Sequence, residues 1–209
     1  MGRGGRGTAP DYIEYLTPTA DKVKLYRNKW RQDKAFMAEE KAIRWLFRTY
    51  PQNTDLNQIM IKCAAFVQSH RDDDIYKMAR HIKTIPFDEL IKNDDLSFVT
   101  EIAKIHWGKG GRRRVDESIY MLATRYCAYH KPKSYPLLNA CVEEMLLAFR
   151  ERKMIKHFED KDLFDYVKFT GIMQCLVDKY TLQEFNFTEI ALYFERFLPD
   201  WEEDKCVFE

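Results

Sequence analysis

The residues best suited to chemistry in this sequence form one short run, Trp107-Gly108-Lys109-Gly110-Gly111-Arg112-Arg113-Arg114. Three glycines in four positions predict a tight turn that needs positive φ or very close backbone approach. Such glycines let backbone N–H groups reach phosphate oxygens, and the helix that follows offers its positive N-terminal end. Lys109, Arg112, Arg113 and Arg114 add charge, so the run suits a grip on a phosphate backbone. A solvated basic turn has the same composition, but the coincidence of glycines with arginines favours the phosphate grip. A second basic cluster follows at Arg150, Arg152, Lys153 and Lys156, against Glu151.

Other reactive patterns are weak. The histidines His70, His81, His106, His130 and His157 never pair at i, i+4. Cys127 and His130 have ligand spacing but no second pair, so no metal site is expected. Gly108-Lys109-Gly110-Gly111 lacks the spacing and hydroxyl of a P-loop, and no Gly-x-Ser-x-Gly elbow exists, so no cofactor is expected. Acid pairs such as Glu143-Glu144 point apart on a helix and read as solvated. Tyr126, Cys127, Tyr129, His130 and Tyr135 cluster at a helix end and the loop beyond it. Tyr126 and Tyr129 read best as core cover, with His130 answering the helix dipole. The competing reading of this cluster, with its basic neighbours, is stacking on an unpaired base, which makes His130 and Tyr135 candidate nucleic-acid contacts.

The elements that must position these groups read as helical from Asp11 onward. Ile43, Leu46, Phe47 and Tyr50 fall at i, i+3, i+4, i+7 before Pro51, and Leu56–Val67 and Ile75–Ile82 keep that period. A stripe of Phe98, Ile102 and Ile105 follows Asp94-Asp95, and another runs through Ile119, Leu122, Ala123 and Tyr126. Leu138–Phe149, residues 161–180 and residues 187–198 supply three more. No period-2 alternation and no internal repeat interrupts them, so the fold expected is all-α with about eight or nine helices. Residues 1–10 read as a disordered Gly/Arg-rich arm. Residues 11–200 read as a single helical domain, in one unit or two lobes, and residues 201–209 as an acidic tail. Trp45, Phe47, Leu122, Tyr126, Val142, Met145, Leu146 and Leu176 are the expected core.

The run Tyr120–Cys127 (Tyr-Met-Leu-Ala-Thr-Arg-Tyr-Cys), the loop His130–Pro136 (His-Lys-Pro-Lys-Ser-Tyr-Pro) and the stretch Leu137–Val142 carry a pattern. It resembles that of bacterial proteins of the 8-oxoguanine DNA glycosylase fold, within the helix-hairpin-helix superfamily. That resemblance implies a helix-hairpin-helix bundle whose hairpin grips a DNA phosphate, with the Gly108–Gly111 turn at the hairpin and Pro136 at the motif proline. It places Asn139 at the family's catalytic Asp and Arg125 at its Lys, so the candidate catalytic positions are Asn139, Arg125 and the turn's own amine, Lys109. Asn carries no charge to stabilise an oxocarbenium ion, and Arg is not an amine nucleophile. The candidate nucleic-acid contacts are Gly108, Lys109, Gly110, Gly111, Arg112, Arg113, Arg114, His130 and Tyr135.

Composition bounds the rest. A 45% hydrophobic content over 209 residues excludes wholesale disorder, and a net charge of +1 restricts any nucleic-acid footprint to a local patch. Five scattered cysteines with no Cys-x-x-Cys read as reduced thiols of a cytoplasmic protein. Neither a secretory signal nor a membrane span is expected. The function expected is DNA binding in a glycosylase-like protein that lacks the usual Lys and Asp, binding-only or with residual hydrolase chemistry. The alternative is a helical protein–protein interaction or regulatory module without catalysis, for example in a defence locus, with a protein as its partner.

Overall fold

The computed structural model describes residues 12–34, 37, 41, 84, 87–103 and 117–208. Among them the fold is all-helical, with eight α-helices, one short 3₁₀ helix and no strand. The stripes at 43–50, 56–67 and 75–82, the arm 1–10, Trp45, Phe47 and the whole Gly108–Arg114 run lie outside the described residues.

Helix α1 (Tyr12–Leu16) leads into α2 (Ala20–Gln32), where Thr19 caps by accepting from Lys22 N at 3.2 Å. Val23, Tyr26 and Trp30 make the buried face of α2. Its Lys22 ammonium donates to the carbonyls of Glu14, Tyr15 and Thr17 at 3.0, 2.6 and 3.0 Å, so α2 closes the open carbonyls at the end of α1.

Next come α3 (Phe87–Lys92) and α4 (Ser97–Ala103), the latter started by the Asp95 carboxylate accepting from Ser97 N at 2.9 Å. Helix α5 (Glu117–His130) packs on α4, and the loop 131–139 joins it to α6 (Ala140–Glu151). The stripe read over 161–180 is two elements, because Asp165 ends a 3₁₀ helix (Asp160–Phe164) and caps α7 (Tyr166–Lys179). Helix α8 (Phe187–Phe208) is central, packing on α2, α5 and α6, with Ile190, Tyr193, Phe194, Phe197 and Trp201 buried. Its first half, residues 187–198, is apolar at most positions, which suits a helix that packs on several neighbours. The stretch 201–208, read as a tail, continues this helix. Pro199 removes one rung of the ladder, and buried Trp201 holds the chain beyond it against the core.

Leu122, Tyr126, Val142, Met145, Leu146 and Leu176 are all buried, as their spacing predicts. Helices α3, α6 and α7 end in the same device. Asp94, Lys153 and Thr181 take φ of 56°, 57° and 55°. The next residues donate five back along the chain, Asp95 N to Leu90 O at 3.1 Å, Met154 N to Phe149 O at 2.8 Å and Leu182 N to Val177 O at 2.9 Å. These are Schellman caps without glycine, each strained by about 1 kcal/mol relative to glycine there.

Candidate nucleic-acid interface

The loop from Lys131 to Asn139 is held by every element around it. Lys131 Nζ donates to Lys92 O at 3.1 Å and pairs with Asp94 at 2.9 Å. The Tyr135 hydroxyl donates to Asp95 O at 3.2 Å, and Tyr166 donates to Pro136 O at 2.8 Å. Thr124 of α5 accepts from Leu138 N at 3.0 Å, and Phe187 N, opening α8, donates to Pro132 O at 3.1 Å. Five elements therefore fix where Asn139 stands.

Asn139 is the N-cap of α6. Its Oδ1 accepts from Val142 N at 2.8 Å, and its buried Nδ2 has no hydrogen-bond partner among the described residues. An N-cap needs a short side chain with an acceptor, which Asn and Asp both supply. The amide orients and donates but holds no charge.

Arg125, in mid-α5, is 6% exposed and sits 3.7 Å from Glu195 of α8. Burial raises the Glu195 carboxyl above its ordinary range, and Arg125 and Arg196 oppose that rise. The guanidinium thus joins two helices of the core. Asn139 and Arg125 serve different contacts.

Tyr135 does not face solvent, and His130 is half-buried. Tyr135 is fully buried, its ring stacked on Tyr166 at 6.2 Å between centroids, and burial lifts its phenol. The loop folds this tyrosine inward, onto the Tyr166 ring and Asp95 O. The His130 ring meets Tyr126 edge-on at 4.8 Å, and burial pushes its pKa down to about 3. Burial thus disfavours its charged form, and Lys131 beside it supplies a cation at the helix end. Tyr126 is core, as read, while Cys127 is buried with its thiol pushed up. No group of residues that could hold a metal ion occurs among the described residues.

Gly108, Lys109, Gly110, Gly111, Arg112, Arg113 and Arg114 lie outside the described residues, yet their two flanks are described. Helices α4 and α5 pack together, so the run joins two neighbouring helices. In the second basic cluster, Arg150 is held by Phe158 O and Asp160, and Arg152 lies over the Trp201 ring. Lys153 and Lys156 are exposed.

A cavity of about 310 Å³ opens where α7 turns into α8, lined in part by Lys133, Gln174, Gln183, Glu184, Asn186 and Glu189. Sequence reasoning missed it. Asn186 and Glu189 cap each other reciprocally at 3.0 and 2.9 Å, and that capping box is the one signal that marks its rim. Neither Asn139 nor Arg125 lines it. No helix among the described residues is long and apolar enough to cross a membrane.

Residues 22–134 match a family model described as HI_0787_N: N-terminal domain. A protein of Haemophilus influenzae named "Uncharacterized protein" is 33% identical over 120 residues. The match covers 57% of this chain and 54% of that relative, so the chain spans about half the length of the curated relative it matches. No solved structure matches.

Proposed function

The chain belongs to the HI_0787_N N-terminal domain family, and we propose that it is a cytoplasmic DNA-binding protein with a helix-hairpin-helix, glycosylase-like arrangement. The observation that supports this reading is the packing of α4 on α5. It makes the Gly108–Arg114 run the connection between two adjacent helices, which is the setting a phosphate-gripping hairpin requires. Backbone N–H groups of Gly108–Gly111 lead the contact, with Lys109 and Arg112–Arg114 adding charge, so the binding is directed to phosphate and largely blind to sequence.

Catalysis is reduced in this reading. Asn139 positions α6 and offers an amide, with no carboxylate to activate water. Arg125 is committed to Glu195. The cytoplasmic placement rests on the odd, scattered cysteines. The test is a DNA titration at two salt concentrations on unrelated sequences, followed by base-release measurement on the same duplexes. Binding of similar strength on all sequences, weakened by salt and lost on replacing Arg112, Arg113 and Arg114 by Ala, is the expected result. Affinity confined to one sequence, or unchanged in that variant, overturns it.

A further inference from the structure

We infer that the turn after α6, carrying Lys153, Lys156 and His157, is a second phosphate-contact surface for a nucleic-acid backbone, in addition to the Gly108–Arg114 run. The inference rests on the nucleic-acid reading above.

Three observations carry it. The first is charge. Lys153, Lys156 and His157 are exposed and make no ion pair among the described residues. The cations around them are engaged: Arg150 with Asp160, Lys161 with Glu159, and Lys168 with Asp162. Of the nearby carboxylates, Glu159 and Asp160 are in those pairs, and Glu151 is exposed on the last turn of α6. Lys153 and Lys156, left open within one turn, are free to meet phosphate oxygens.

The second is rigidity. Met154 and Ile155, between the exposed Lys153 and Lys156, are buried, and so is Phe158 after His157. Met154 O accepts from the Tyr180 hydroxyl at 2.9 Å and also from Lys179 Nζ, while Phe158 O accepts from Arg150 at 3.2 Å. A turn anchored at the Met154 and Phe158 carbonyls presents its charges from a fixed backbone, which lowers the ordering cost of binding.

The third is the backbone at Lys153. It occupies the left-handed position of a Schellman cap, with φ of 57° and Met154 N donating to Phe149 O at 2.8 Å. Glycine fills that position without strain. Asp94 and Thr181 share this strained position, so the strain marks no ligand by itself, but at Lys153 it lets the side chain's charge be removed without loss of stability.

The strain makes the role separable from stability. Lys153→Gly is expected to raise the melting temperature while weakening binding to a mixed-sequence DNA duplex. Thr181→Gly, at the equivalent cap of α7, is expected to raise it with binding unchanged. The double variant Lys153→Gly, Lys156→Gln is expected to bind about tenfold or more weakly near 0.1 M salt. Its salt slope should fall by about 1.8, at roughly 0.9 per contact removed.

A double variant that binds DNA like the wild type, while the Arg112–Arg114 alanine variant loses binding, overturns this surface and leaves the nucleic-acid reading standing. Wild-type protein that fails to bind duplex at low salt overturns both. Preference for phosphatidylserine vesicles over DNA, lost in the double variant, makes the partner a membrane and overturns the inference as well.

Discussion

The Tyr26 hydroxyl of α2 donates to the Asp200 carboxylate of α8 at 2.6 Å, joining residues 174 apart in the chain. Lys29 reaches the same oxygen at 3.1 Å. Burial works against Asp200 ionisation, but these two donors outweigh it and hold the carboxyl below its ordinary range. A carboxyl depressed by folding stabilises the protein above its unfolded pKa, and that contribution disappears as pH falls through the folded value. Asp200 keeps 45% of its side chain exposed, so solvent screening limits the effect. Tyr26→Phe should lower stability by about 1 kcal/mol at pH 7. Urea unfolding should show the gap to wild type narrowing as pH falls from about 5 towards 3. A gap independent of pH sinks this account.

The matched family region ends at residue 134, but the core does not. Val142, Met145 and Phe149 of α6, Phe169 and Met173 of α7, and Phe194 and Phe197 of α8 are buried in the same cluster as Val23, Phe98 and Leu122. A fragment ending at residue 134 loses the surfaces that cover α2 and α5. Circular dichroism of that fragment should show no cooperative thermal transition. A sharp melt there would mean that the matched region carries its own core.

Much of this was legible from period alone. Leu122, Tyr126, Val142, Met145, Leu146 and Leu176 sit where helical spacing puts them, because each lies on a stripe of a long amphipathic helix. Asp95 before α4 was visible as an acid ahead of a stripe. Tyr135 was not, because a Lys-Pro-Lys-Ser-Tyr-Pro loop has the composition of an exposed turn. What draws it inward is Asp95 O, 40 residues earlier, and the Tyr166 ring. The caps at Asp94, Lys153 and Thr181 were equally silent, since glycine is the residue that announces them. Pro199 signals a helix end, yet the burial of Trp201, a tertiary contact, carries α8 past it.

Thr181 is the least suited of the three to its backbone, being β-branched and exposed at φ of 55°. Thr181→Gly should stabilise the protein by about 1 kcal/mol, or roughly 2–4 °C in melting temperature for a chain of this size. Scanning calorimetry decides it. A lower melting temperature would show that the threonine side chain matters more than its backbone strain.

Arg125 and Glu195 should behave as a structural pair. Arg125→Met leaves Glu195 without its partner, and the loss should be about 2 kcal/mol, below that of a sealed pair because Glu195 is 32% exposed. Glu195→Gln in the same chain should restore part of it. A carboxyl raised by folding makes the native state the tighter proton binder, so its contribution favours stability at low pH. That contribution is lost as pH rises from the unfolded value, about 4.3, to the folded one. Glu195→Gln alone should flatten this segment of the stability–pH curve. Full additivity of the two single variants in unfolding experiments would show that the residues do not interact.

Under the proposed glycosylase-like reading, lyase chemistry turns on which amine is present. A Schiff base at the sugar C1′ needs a neutral primary amine, which attacks and later loses its proton as water leaves. Arg125 offers a guanidinium, charged at all working pH values and held 3.7 Å from Glu195 inside the core. Borohydride treatment with abasic duplex DNA should therefore trap no covalent adduct. An adduct mapping to Lys109 would reverse this, making the protein a lyase with its nucleophile in the Gly108–Gly111 turn. Asn139 separates the remaining possibilities. Asn139→Ala removes the acceptor for Val142 N and should cost about 1 kcal/mol of stability. Asn139→Asp keeps that acceptor, places a negative charge at a helix N-terminus, and should melt at or above the wild type. Base release should not appear in Asn139→Asp, because the restored carboxylate is spent on the α6 cap. Release gained with that one substitution would show that a missing charge, and nothing else in the site, keeps the protein from glycosylase chemistry.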